Sequence, residues 1–331
     1  MIVPVFNNAT TIGRTLEAIL AQRGDEDEII VIDDGSTDAS ASVVERYPVR
    51  LLRNGQNRGA AMARNIAVRE ARGELLFFTD ADAVLVAGAL DAAHRALLDP
   101  GIAAVVGVYA AQCGHENAAS VFKNFWIRDS YLRAGPSIDW LFGCVCAVRR
   151  SVFLEQGGFP IRHDAHEAAT DIALGIRLHD AGHEILLSRQ MEAIHLRRHS
   201  AGSLFLNDLR RAATYTTLAL QHLGVRRLAR RAGIANVTWG FVAGTALLAA
   251  LLVVGLTSLL RPAPAPIVLF LLAAYLALHT GFYRRLHRHC GLAHAASGIG
   301  LLALSQLASS VGSAWGLLRL LTRRPPLSAA T

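Results

Sequence analysis

From Ala232 to Leu260 the chain carries no Asp, Glu, Lys, Arg or His. A helix needs about 20 predominantly apolar residues to cross the hydrocarbon of a bilayer. This stretch therefore reads as a membrane span rather than as the core helix of a soluble domain. Residues 262–283 form a second run without Asp, Glu, Lys or Arg, entered through Arg261 and the turn Pro262–Pro266. A third run, 295–318, is weaker because Gln306 and five serines interrupt it. It fits a span, a buried helix or an amphipathic helix lying in the interface. Charges are frequent up to Arg231 and sparse afterwards, which predicts three parts. Residues 1–200 form a soluble domain, with a nucleotide-binding half over 1–110 and an acceptor half over 111–200. Residues 201–231 form a basic amphipathic juxtamembrane segment. Residues 232–321 form a membrane region with two to three crossings, at about 234–260, 265–283 and 296–318.

The arginines set an orientation. Arg226, Arg227, Arg230 and Arg231 precede the first run, and Arg284, Arg285 and Arg288 separate the second from the third. Only Arg261 lies between the first and second. Because basic loops stay cytoplasmic, the expectation is a multi-pass protein of the inner (cytoplasmic) membrane with its N-terminal domain in the cytoplasm. Three crossings would leave Arg323 and Arg324 outside, against the same rule. Headgroup contact at these clusters accounts for the net charge of +7. No nucleic-acid partner is expected, since no nucleic-acid-binding motif is present. Cys113, Cys144, Cys146 and Cys290 form neither a CxxC pair nor a disulfide framework. The opening MIVPVFNN lacks the charged-then-apolar pattern of a signal peptide.

Residues 1–110 alternate short β-rich runs with helical patterns. Strands are expected at Ile2–Phe6, Glu28–Asp33, Val49–Arg53, Leu75–Thr79 and Ile102–Tyr109, with a helical stripe through Ile12, Leu16, Ile19 and Leu20 and a small-residue helix over Ala60–Arg72. Strands alternating with helices imply parallel βαβ units in an α/β core, and ligands of such sheets sit beyond the carboxyl ends of the strands. Residues 111–200 are less regular, apart from an amphipathic helix at Ile172–Ala181 stopped by Gly182. A further amphipathic helix covers 203–223.

Two of the strands end in carboxylates. Asp33 and Asp34 open DDGSTD after EIIVI, where they offer acceptors to ring N–H and ribose hydroxyl groups, and Asp38 reads as a helix cap. Asp80 and Asp82 follow LLFFT. At i and i+2 of extended chain they point the same way. Burying them together is costly without a cation, and hard oxygen ligands suit Mg2+ or Mn2+ completed by water and substrate phosphates.

VPVFNN, VIDDGSTD, NRGAAMARN and the strand ending TDAD, in this order over residues 1–200, resemble the signature of family 2 glycosyltransferases with the GT-A fold. The resemblance implies a Rossmann-like, three-layer α/β/α nucleotide-sugar domain. It implies uracil and ribose recognition by Asp33 and Asp34, with Pro4, Phe6 and Arg58 beside the nucleotide. Asp80 and Asp82 would contact ribose and the metal–diphosphate, and Gly143 of DWLFGC resembles the glycine loop beside the donor sugar. The family's catalytic base lies in an acidic pair at a helix start. Asp171 takes that position here, with Thr170 in place of the customary glutamate and Glu167 nearby. His195 of AIHLRRHS resembles the late histidine that reaches the metal, with His199 as its rival. The stretch after Arg189, QMEAIHLRRHS, lacks the QxxRW of processive enzymes, which favours transfer of a single sugar.

The expected activity is that of an inverting, metal-dependent hexosyltransferase moving a sugar from a nucleotide-diphosphate donor, UDP-sugar favoured, to a lipid-linked or glycan acceptor. The alternative is a non-catalytic membrane scaffold with a degenerate sugar-nucleotide domain.

Overall fold

The computed structural model describes residues 1–161, 169–220, 233–234, 237–258 and 265–322. Contacts divide the chain into two compact units, Met1–Glu116 with Asn124–Arg198, and Asn117–Lys123 with His199–Thr331.

The first unit is built on one mixed sheet. Its strands are β1 (Ile2–Val5), β2 (Ile30–Asp33), β3 (Arg50–Arg53), β4 (Leu75–Thr79), β5 (Ala83–Leu85), β6 (Ile102–Tyr109), β7 (Ser137–Ile138), β8 (Val145–Arg149) and β9 (Glu184–His195). They lie in the order β3-β2-β1-β4-β8-β6-β9-β5, with β7 pairing β9. The run β3-β2-β1-β4 is parallel, as the alternation of strands and helices predicts. The other half is mixed, with β6 and β9 parallel to each other. β8 inserts antiparallel between β4 and β6, and β5 runs antiparallel to β9. β1 and β2 are buried throughout, so both faces of these strands are covered and their sequences are continuous apolar runs rather than alternations.

Helices α1 (Ile12–Leu20), α2 (Ser40–Val44), α3 (Ala60–Glu70) and α4 (Ala89–Leu97) connect the parallel half and its edge. α1 buries Ile12, Leu16 and Ile19, the spacing of one helical face. α3 buries Ala61, Ala63, Ala67 and Val68, and with them the charged Arg64. α5 (Ala118–Leu132), α6 (Arg150–Glu155) and α7 (Thr170–Asp180) follow. α7 begins two residues before the expected Ile172, and Gly182 behind it adopts φ +85°.

The second unit contains α8 (Ala201–Leu218), α9 (Trp239–Thr257), α10 (Ala265–Cys290) and α11 (Leu292–Thr322). Ser200 caps α8 in a reciprocal capping box with Ser203. The last three helices are long and apolar enough to cross a membrane. α10 runs through Arg284, Arg285 and Arg288 to Cys290, so the basic cluster expected as a loop is helical. Pro262–Pro264 of the expected turn and the Arg226–Arg231 cluster lie outside the described residues.

Candidate active site

β1 lies between β2 and β4 and parallel to both, so the carboxyl ends of the two acid-terminated strands meet one rim of the sheet. At a strand spacing of about 4.8 Å, two steps separate them by about 10 Å. The residues at the two ends behave differently.

After β2, the carboxylates are taken up by the backbone. Asp33 Oδ1 accepts from Ser36 N at 3.0 Å. Asp34 is only 2% exposed. Its oxygens accept from Asn54 Nδ2 at 2.8 Å, Arg58 N at 3.1 Å and Gly59 N at 2.7 Å. Gly59 precedes the first residue of α3, so Asp34 sits as an anion at that helix N-terminus. Gly35 adopts φ +79°, and a Cβ there would lie 2.8 Å from Gln56 C, so only glycine lets the 54–59 loop close over the strand end. Asn7, also at positive φ, fastens the opposite side by accepting from Thr37 N at 2.8 Å. Asp38 accepts from Ala9 N at 3.1 Å and Ser40 N at 2.9 Å, tying that loop to the first turn of α2. Phe6 and Arg58 are exposed on the two fastened loops, whereas Pro4 is buried within β1.

After β4, the partners are basic side chains. Asp80 pairs with the buried Arg64 of α3. Asp82 lies 3.6 Å from His195 Nε2. Pairing of β5 with β9 sets Ala83 opposite His195, and the His195 ring stacks on Tyr109 at 4.8 Å. Burial, then the charge of Asp80, pushes the Asp82 carboxyl up to about 6. Burial also pushes the Cys144 and Cys146 thiols up, keeping them neutral. His199, the alternative to His195, belongs to the second unit, where its backbone N–H donates to Ser120 Oγ at 2.8 Å.

Gly143 links this rim to α7. Its N–H donates to Asp171 Oδ2 at 2.9 Å, and its carbonyl accepts from Arg64 at 3.3 Å. Asp171 Oδ1 accepts from Ile172 N at 2.9 Å in the first turn of α7. The 140–143 loop reaches α7 because Gly175 has no side chain. A Cβ there would overlap the backbone of Trp140 and Leu141. Asp80, Arg64, Gly143 and Asp171 thus form one connected chain of contacts. Glu167 lies outside the described residues.

Arg64 is the site residue that sequence reasoning missed. It stands within the quoted NRGAAMARN, the one charged side chain on a helix face otherwise made of Ala and Val. A charge among small apolar residues was the available signal, because a buried guanidinium requires an anion. Its side chain also lies 5.5 Å from the Phe159 ring centre. Asn65 beside it donates to Phe159 O at 2.8 Å and accepts from Phe159 N at 3.0 Å.

Residues 1–157 match the model of the family described as glycosyl transferase family 2. The chain belongs to that family. This family 2 glycosyltransferase is 31% identical over 237 residues to an uncharacterized protein of Mycobacterium tuberculosis, a match covering 64% of this chain and 73% of that one. It is 29% identical over 114 residues to glycosyltransferase GlyG of Streptococcus pneumoniae, covering 33% of this chain and 38% of that protein. The chain therefore spans well under two thirds of the named relative. Among solved structures, mannosyltransferase PcManGT of Pyrobaculum calidifontis, in complex with GDP-Man and Mn2+, aligns with a TM-score of 0.62 at 24% identity. That alignment covers 95% of this chain and 86% of the mannosyltransferase. The fold is the GT-A fold, carrying three apolar C-terminal helices long enough to span a membrane.

Proposed function

We propose that this glycosyltransferase moves a single sugar, with inversion, from a nucleotide-diphosphate donor to a lipid-linked or glycan acceptor at the cytoplasmic face of a membrane. The observation that carries the reading is the contact chain from Asp80 through Arg64 and Gly143 to Asp171. It couples a metal-type carboxylate pair to a carboxylate at a helix start, across a glycine whose backbone is fixed at both its N–H and its carbonyl.

A divalent ion fits this rim. Among the described residues no three His, Cys, Asp or Glu groups gather closely enough to hold an ion alone, so donor phosphates and water would complete the shell. Asp82 and Asp80 supply hard oxygens, and His195 stands beside Asp82. Burial, and then the neighbouring Asp80 charge, raise the Asp82 carboxyl, and a bound cation would favour its ionised form. Mn2+ is present with GDP-Man in the Pyrobaculum calidifontis mannosyltransferase, which supports Mn2+ or Mg2+ here. A bound ion would stabilise the charge developing on the departing diphosphate.

The chain's own residues do the rest. Phe6, Asp33 and Arg58 line the nucleotide side, and Asp34 holds the Arg58 loop in place through its backbone. Asp171 takes the proton of the acceptor hydroxyl as its oxygen bonds to the anomeric carbon and the bond to the diphosphate breaks. Attack from the face opposite the leaving group inverts the centre. An acceptor that is already a phosphate brings no proton to remove. In that case Asp171 acts by positioning Gly143.

A second reading, a non-catalytic membrane scaffold, draws on Thr170 in place of an acid and on both Asp171 oxygens already accepting backbone N–H groups. The two readings separate on purified protein in detergent. A screen of UDP- and GDP-sugars with Mn2+ is expected to show release of nucleoside diphosphate and, by NMR, an inverted product. Binding without turnover for every donor would leave the scaffold, and a retained configuration would reject one-step displacement. The two roles of Asp171 separate in Asp171→Asn, which still accepts a hydrogen bond. Loss of about 10²- to 10⁴-fold in turnover marks a base, and near-normal turnover marks positioning.

The first two apolar runs, with arginine clusters on one side, support anchoring as a hairpin with the N-terminal domain in the cytoplasm. Such an anchor raises the effective concentration of a lipid-linked acceptor.

A further inference from the structure

α11 has the length and composition of a third crossing, yet its neighbours are unlike those of a spanning helix. Gln306, near its middle, donates through Nε2 to the carbonyl of Phe241 at 3.3 Å and accepts from Tyr275 Oη at 2.8 Å. Phe241 is the third residue of α9. Gln306 therefore lies level with the point where α9 begins. Beyond Gln306, α11 continues to Thr322, about 24 Å at 1.5 Å per residue. Over this stretch it packs on α8. Side chains at Gly312 and Gly316 would overlap the carbonyl oxygens of Leu209 and Ala213, so the two helices approach to backbone contact. Ser305 Oγ donates to Asp208 Oδ2 at 2.5 Å, and Asp208 is ion-paired with Lys123. Lys123 holds the Asp208 carboxyl below its ordinary range.

α8 cannot follow α11 into hydrocarbon. It carries Asp208, the half-buried Arg211 and the exposed Arg210, and charged side chains at membrane depth are strongly disfavoured. The outer face of α11 is apolar. Leu307, Val311, Leu318 and Leu321 are exposed at i, i+4, i+11 and i+14, one stripe of the helix. Arg319 lies over the Trp315 ring at 3.7 Å, a pairing of the type that sits at the headgroup level.

We infer that α8 and α11 form a paired plate lying in the headgroup layer, with the Leu307–Leu321 stripe dipped into the acyl boundary and the arginines meeting anionic lipid. The chain then crosses the membrane twice, through α9 and α10, and its C-terminus stays on the side from which α9 enters. Arg323 and Arg324 thereby fall on the basic side. The inference rests on the anchoring proposed above.

The test uses full-length protein in sealed membrane vesicles with protease-cleavable tags at the N-terminus, at the C-terminus and between Thr257 and Ala265. The two terminal tags are expected to be cut from one side and the middle tag from the other. A C-terminal tag cut from the same side as the middle tag overturns the plate and leaves anchoring intact. Release of the chain by alkaline carbonate, with all tags cut together, ends both. As a second measurement, fluorophores are placed by Leu307→Cys and by Leu318→Cys in a Cys113→Ser, Cys290→Ser background, and lipid quenchers report their depth. Equal shallow depths support the plate. Depths differing by about 16 Å, the rise of 11 residues, overturn it.

Discussion

The two acidic strand ends look alike in sequence, each an apolar strand closed by a pair of carboxylates, but they are wired in opposite ways. Asp34 gives its oxygens to two backbone N–H groups and one side-chain amide, and Asp33 accepts from another backbone N–H. Asp80 and Asp82 face a guanidinium and an imidazole, and the Asp82 carboxyl is pushed up to about 6. Backbone donors cannot leave without unfolding the loop that carries them. Side-chain partners can be exchanged for a cation. The β2 end is thus a fixed support for the nucleotide loop, and the β4 end is the place where charge can change hands.

The comparison is broken most directly at its stable end. Asp34→Ala leaves Asn54 Nδ2, Arg58 N and Gly59 N facing an empty site, and is expected to cost about 3 kcal/mol of stability, read by thermal or denaturant unfolding in detergent. An unchanged transition would show that water replaces the carboxylate freely. Asp82→Asn is expected to act with the opposite sign. A carboxyl raised from 3.8 to about 6 on folding destabilises the native state once ionised, so stability falls as pH rises from about 4 to 6. Without metal, Asp82→Asn should be more stable than the parent above pH 6, by at most about 3 kcal/mol, and no different below pH 4. Adding Mn2+ should stabilise only the parent. The same carboxyl sharpens the metal proposal. Mn2+ must displace its proton, so apparent affinity in calorimetric titration should fall about tenfold per pH unit below pH 6 and level off above it. The smallest change is expected from Arg64→Lys, which keeps the charge beside Asp80 but sets a shorter, point-like ammonium where Arg64 Nη2 donates to both Asp80 and Gly143 O. It should raise KM for the donor several-fold with little loss of stability, and an unaltered KM would remove Arg64 from the positioning of Gly143.

Much of the parallel half was legible because its strands are short apolar runs ending at Gly- and Asp-rich turns. Leu75–Thr79 was located to the residue, as was Ile102–Tyr109 in the other half of the sheet. The rest of the mixed half was not. β8 reads VCAVR and β9 reads EILLSRQMEAIH, where polar residues interrupt the pattern and the partner strands are remote in sequence. Of the site, the acidic ends were visible in the one-letter code. Their difference was not, because it depends on where the N–H groups of Arg58 and Gly59 point. Arg64 escaped because a helix of small residues conceals how close its guanidinium comes to Asp80.

Release of nucleoside diphosphate from a UDP- or GDP-sugar panel, measured with and without Mn2+ for the parent protein and Asp82→Asn side by side, bears most directly on the β4 rim as the seat of transfer. The account predicts Mn2+-dependent release by the parent and loss of at least about 10²-fold in a variant that remains folded. Equal, metal-independent rates in the two proteins would contradict it.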